Sequence, residues 1–247
     1  MLGSGSIQLG RVFGIRIGAS PSWFVVLFLL IYLLSDYFTD AVGTSSSTGF
    51  LLAVGAAGLF FASLILHELG HALVARRNGI EIAGIDLWFF GGIAKLNRDS
   101  QSPGEEFRVS AAGPAVTLLI VIASCVVGLL VGGSSDFGDA LVLRDHPGAA
   151  LAVLGWLALV NAGLFVFNLI PAYPLDGGRI ARAIAWKITG DRNRGTRFSA
   201  RLGQAFSYIL MGLGIFLLVR GDAGSGIWWI LMGWFLGQSA TGNQGQR

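Results

Sequence analysis

The sequence predicts an all-α polytopic membrane protein, with about six transmembrane helices and a small membrane-associated β-sheet. Two observations predict it. Of the 247 residues, 53% are hydrophobic and only 13% are charged, where a soluble domain carries about 25% charged residues. The apolar residues also come in long runs, and mean hydropathy is +0.68. That combination fits a chain that crosses a bilayer several times. Glycine is abundant, at 37 residues, as close helix packing and broken membrane segments require.

The chain reads as one transmembrane core over residues 1–240, followed by a polar tail, 241–247. Spans are expected near 21–38, 50–75, 107–131, 149–170, 204–220 and 226–238. The first apolar run, from Trp23, is short enough to resemble a signal-peptide core. The twenty residues before it argue against that reading. Ile7 to Ile17 reads as a short strand. Residues 80–96 have the texture of one or two strands: Ile80, Ile82, Ile85, Leu87 and Phe89 alternate loosely, and Gly91-Gly92 suggests a turn or bulge. Residues 97–106 and 132–147 read as polar loops.

Net charge is +3 and the sequence pI is about 9.4. The basic excess calls for no nucleic acid, because membrane proteins gather Lys and Arg in their cytoplasmic segments. With six spans and a cytoplasmic N-terminus, every one of the 17 basic residues except Arg144 and Arg220 falls on the cytoplasmic side. Both termini are therefore expected inside, in a multi-pass protein of the cell membrane. The single cysteine, Cys125, lies in an apolar run, so no intrachain disulfide is possible.

The second span carries His67-Glu68-Leu69-Gly70-His71. Residues four apart share one face of an α-helix, so both imidazoles can point at one metal ion. Two neutral histidines at that spacing suit Zn²⁺. Glu68, beside the first of them, is placed to take a proton from a water that the metal activates. Arg76-Arg77 ends the span, nine residues beyond His67. That is roughly 13 Å along a helix, so the motif lies below the membrane surface on the basic side. The third histidine, His146, sits in a polar stretch and reads as a solvated loop residue.

A zinc ion that keeps one position open needs a third protein ligand. Asp176 is the candidate, as the only acid between Asp145 and Asp191. It follows Pro171 and Pro174 and precedes Gly177-Gly178, where no regular helix continues. A turn aspartate before two glycines is the competing reading.

His67–His71 in a span, followed about a hundred residues later by Phe167-Asn168-Leu169-Ile170-Pro171-Ala172-Tyr173-Pro174-Leu175-Asp176-Gly177-Gly178, resembles the site-2 protease family of intramembrane zinc metalloproteases. Gly91-Gly92-Ile93-Ala94 and Ala112-Gly113-Pro114 add to the match. The resemblance implies one Zn²⁺ per chain, held by His67, His71 and Asp176. It implies Glu68 as general base and as proton donor to the leaving amine. Asn168 matches the asparagine of the family's second motif and so donates to the oxyanion or to the substrate backbone. A packing hydrogen bond between helices is its alternative. The implied partner is a transmembrane protein substrate within the lipid bilayer, such as an anti-sigma factor or a membrane-held regulator. Many members carry paired cystathionine-β-synthase-type domains after the last span. This sequence holds none, so nucleotide regulation is not carried over.

Three rival readings stand beside this one. A zinc-binding membrane protein or transporter without proteolysis would carry acids and histidines along other spans, and this chain has no such ladder. A protease of the class that trims lipid-modified proteins would use a distant downstream glutamate, but no glutamate follows Glu106. A catalytically inactive scaffold would not need Glu68.

Overall fold

A computed structural model describes residues 6–88, 91–144 and 146–242. Phe89, in the expected strand alternation, lies outside the described residues, as do Asp145 and the last five residues of the expected tail. The chain forms two compact units. One comprises Met1–Asp99 with Ala115–Phe165, the other Ser100–Pro114 with Val166–Arg247.

The first unit begins with a four-stranded sheet in the order β1-β2-β3-β4. β1 (Ile7–Val12) and β2 (Ile15–Ala19) pair antiparallel. The single strand expected over Ile7–Ile17 is thus a hairpin. Phe13 and Gly14 both take positive φ, 51° and 80°, and this backbone suits a two-residue turn between antiparallel strands. Ile15 and Ile17 are buried while β1 stays exposed. β3 (Ile82–Trp88) runs parallel to β2, and β4 (Gly91–Leu96) returns antiparallel to β3. Gly91 and Gly92 open β4 rather than forming the turn.

Between β2 and β3 the chain makes two helices. In α1 (Pro21–Val42) proline occupies the first turn, and Gly43 closes the helix at φ 66°. Proline tolerates the first turn because its missing N–H would have no helical partner there, and glycine takes the left-handed cap without strain. α2 (Ser46–Arg77) starts on Ser45, whose side chain accepts from the Thr48 N–H. It ends with Arg76 and Arg77, where cations face the negative end of the helix dipole. The sheet packs on α2: Ile15 and Ile85 meet Leu69 and Ala72, while Ala19 and Leu87 meet Phe61 and Leu64.

α3 (Pro103–Val142) continues well past the expected loop boundary at residue 132. It bends at Gly133 (φ 67°). Phe137 and Ala140 are then buried against Leu151 of α4 (Ala149–Asn168). Gly128 makes room for the Phe137 ring, since a β-carbon there would collide with it. The polar Ser134-Ser135-Asp136 segment conceals this helical turn in the sequence.

The second unit contains the first turns of α3, the end of α4, α5 (Asp176–Thr189), α6 (Arg192–Val219) and α7 (Ala223–Gly242). Buried Glu106 of α3 accepts from Arg182 Nε of α5 at 2.7 Å. α6 and α7 pack through glycines. A β-carbon on Gly214 or Gly226 would meet backbone or side chain of the facing helix, so these glycines allow close approach. Between them, the Ser225 hydroxyl and then its N–H bond to Asp222, holding that exposed carboxyl below the usual range.

Five helices, α1, α2, α3, α4 and α6, are long and apolar enough to cross a membrane. The expected sixth span lies in α7, which is 20 residues long but rich in glycine, serine and tryptophan. Large apolar side chains such as Leu130, Val219, Leu51 and Phe28 are exposed. Such surface in a soluble monomer would be anomalous, and it suits a lipid surrounding. α2 is the most enclosed of the five.

Candidate metal centre

The buried face of α2 runs through Ala53, Ala57, Phe61, Leu64, His67, His71 and Ala75, a helical spacing of three and four. Small residues at one end let neighbouring chain approach, and the two imidazoles occupy the other. His67 and His71 are 5% and 6% exposed. Their Nε2 atoms lie 3.2 Å apart, with the rings nearly perpendicular. Two nitrogens bound to one tetrahedral zinc at 2.0–2.1 Å stand about 3.3 Å apart. The spacing of the histidine pair is therefore that of two nitrogens sharing one metal ion.

The far side of the His67 ring is fixed as well. Its Nδ1 lies 2.8 Å from Thr117 Oγ1. Thr117, on α3, is 1% exposed. A proton on Nδ1 donated to this hydroxyl leaves Nε2 with its lone pair, the tautomer a metal requires. Sequence reading missed Thr117. The available signal was a lone hydroxyl inside the apolar run Ala115–Ala123.

Glu68 is half-buried on the adjoining face of α2. It lies beneath β4: a β-carbon placed on Gly92 would stand 2.5 Å from Glu68 Cγ and 3.2 Å from Oε1. Glycine at 92 thus leaves the space that the carboxylate arm fills. The sheet's packing on α2 brings this strand there.

In the second unit, α4 ends at Asn168, which is half-buried. An irregular segment follows, with a cis Tyr173–Pro174 bond. Asp176 is the first residue of α5, not part of the irregular loop, and is 9% exposed. A carboxylate in the first turn lies in the favourable field of the helix dipole. The next two residues must be small. A β-carbon on Gly177 would collide with the Leu169 and Ile170 carbonyls, and one on Gly178 with the Ala172–Tyr173 backbone. Ser199 of α6 donates to the Gly178 carbonyl at 2.6 Å. The prolines and glycines therefore wrap the loop tightly over the start of α5.

His146 is an exposed loop residue, as expected. Its Nδ1–H donates to the Ala41 carbonyl at 3.3 Å, and its ring lies over Gly43.

The chain is similar to known zinc metalloproteases. A candidate zinc metalloprotease of Synechocystis sp. is 37% identical over 95% of this chain and 59% of its own length. A zinc metalloprotease of Methanocaldococcus jannaschii is 33% identical over 85% of this chain and 54% of its own. The chain thus spans somewhat more than half the length of these relatives. The solved site-2 protease from M. jannaschii is 29% identical and superposes with a TM-score of 0.57, covering 98% of this chain and 95% of that one. Residues 55–210, which include His67, Glu68, His71, Thr117 and Asp176, match the model of peptidase family M50. On that match, and with paired imidazoles set for a metal on a membrane helix, the chain belongs to peptidase family M50.

Proposed function

We propose that this chain is an intramembrane zinc metalloendopeptidase that hydrolyses peptide bonds in transmembrane segments of other membrane proteins. The observation that carries the reading is the 3.2 Å spacing of the His67 and His71 Nε2 atoms on a buried helix face. His67, His71 and Asp176 each offer one ligand atom, and two imidazoles with one carboxylate form an ordinary three-ligand set for catalytic zinc. Zinc bound there supplies a Lewis acid that polarises the scissile carbonyl and acidifies water.

The protein's own groups do the rest. Glu68 accepts a proton from the attacking water and delivers it to the leaving amine. The Gly92 backbone sets the arm of Glu68 from one side. Thr117 holds the His67 ring in the tautomer that ligates. The Asn168 amide donates a hydrogen bond to the developing oxyanion or to the substrate backbone.

A transmembrane helix hides its peptide bonds in its own hydrogen bonds, so the substrate must unwind. The outer edge of β4 ends the sheet next to Glu68 and offers unwound substrate a strand to pair with. The clustering of basic residues favours a cytoplasmic position for both termini, which would let water enter from that side. A substrate already shortened by another protease fits best. Membrane-held regulators, including anti-sigma factors, are the class in view.

Quantitative proteomics of membranes holding wild-type protein or Glu68→Gln tests this. Membrane-bound stubs should accumulate with the variant and name the substrates. Identical membrane peptide profiles would count against the reading.

A further inference from the structure

Asp176 opens α5 without a side-chain cap. Leu175, at the cap position, makes no side-chain bond to the first N–H groups of the helix. Serine, threonine or aspartate there would supply an acceptor, and helix ends fray. A frayed turn is a poor seat for a metal ligand, because a ligand–metal distance holds to within about 0.2 Å. In the second unit this turn is fixed from another helix.

The start of α6 meets α5 through Gly195 and Ser199, one turn apart and both buried. A β-carbon on Gly195 would stand 2.7 Å from the Arg182 carbonyl oxygen, so the two backbones lie close. Ser199, 3% exposed, donates its hydroxyl to the Gly178 carbonyl at 2.6 Å. Gly178 follows Asp176 by two residues, in the same turn. Other helical hydroxyls in this chain are used differently. Those of Ser63, Ser124 and Thr196 bond back to a carbonyl of their own helix, which needs no neighbour. Glu106 of α3 also anchors α5, at Arg182. The helix is thus held at its first turn and again at its second.

We propose that Ser199 is a positioning residue for the metal centre: through the Gly178 carbonyl it fixes the first turn of α5, and so the Asp176 carboxylate that this turn presents to zinc. The proposal rests on the reading of Asp176 as the third ligand. Ser199 acts through the backbone of α5 rather than by touching the metal.

The same helix supplies a matched comparison. Ser207 of α6, 2% exposed, donates to the Gly233 carbonyl of α7 at 2.5 Å. Both hydroxyls are buried on α6, and both bond to a glycine carbonyl of a neighbouring helix. One of those helices bears Asp176, and the other bears no proposed ligand. If these bonds only hold helices together, losing either one has the same effect.

Zinc affinity of the purified full chain, measured by chelator competition, tests this, with thermal unfolding of the zinc-stripped proteins alongside. Ser199→Ala and Ser207→Ala should lower the unfolding temperature alike. Ser199→Ala should bind zinc about tenfold or more weakly than wild type, and Ser207→Ala should bind it as wild type does. Should Ser199→Ala fail to fold, Gly195→Ala and Gly214→Ala draw the same contrast, since their β-carbons would stand 2.7 Å and 2.6 Å from carbonyl oxygens of α5 and α7. Equal zinc affinities in the two serine variants would overturn the proposal and leave the zinc reading intact. So would affinities that merely track unfolding temperature across the variants. Asp176→Asn separates the two claims: if it binds zinc as tightly as wild type, the third-ligand reading fails and the proposal fails with it.

Discussion

Glu68 occupies the space that a β-carbon on Gly92 would fill. The strand and the proposed base are fitted to each other, though 24 positions separate them in sequence. Gly92→Ala should push the carboxylate off its position while leaving both imidazoles in place. A displacement of about 1 Å at a reacting group costs on the order of 100-fold in rate. Cleavage of a membrane-embedded substrate should fall by about that factor, with zinc content unchanged. Full activity in Gly92→Ala would show that Glu68 has room to spare.

Thr117 should matter through zinc rather than through folding. Thr117→Val keeps the shape but leaves the His67 Nδ1–H without its acceptor. Zinc affinity, measured by chelator competition, should fall by roughly 10- to 100-fold. Thr117→Ser should restore it. If valine binds zinc as tightly as threonine, the hydroxyl does not set the tautomer.

Asp176 is the proposed third ligand, and Arg179 offers the competing account, a simple salt bridge to it. Asp176→Asn should lower the zinc content of the purified protein and abolish cleavage. Arg179→Gln should leave zinc bound. The reverse pattern, in which Asp176→Asn keeps full zinc and activity while Arg179→Gln unfolds the protein, would move the third ligand elsewhere.

Orientation is open to cysteine labelling in a Cys125→Ser background. Among Ser4→Cys, Ser134→Cys and Gln244→Cys, only the second should react with an impermeant reagent from outside. Ser134 is exposed just past the bend at Gly133. Outside labelling at position 4 would invert the assigned topology.

Much of this was legible in the sequence because it is local. The spacing of His67 and His71 is a property of one helix, and burial of that face follows from the alanines at the same phase. The helix break before Asp176 is written in Pro171 and Pro174. What was not legible depends on distant pairing. β1 and β2 look like one strand until the positive φ of Phe13 and Gly14 is known. The helical stretch after Gly133 is disguised by Ser134-Ser135-Asp136, and only the burial of Phe137 against Leu151 explains it. Thr117 and Gly92 gain meaning from residues 50 and 24 positions away, through contacts that no local spacing encodes.

The most direct test of the central claim is to measure zinc content and substrate cleavage together on purified wild type and Glu68→Gln. The substitution removes the base but leaves His67 and His71. Both proteins should hold about one zinc per chain, and only the wild type should cleave a transmembrane substrate. Cleavage by Glu68→Gln at near wild-type rate, or a wild type that binds no zinc, would contradict the account.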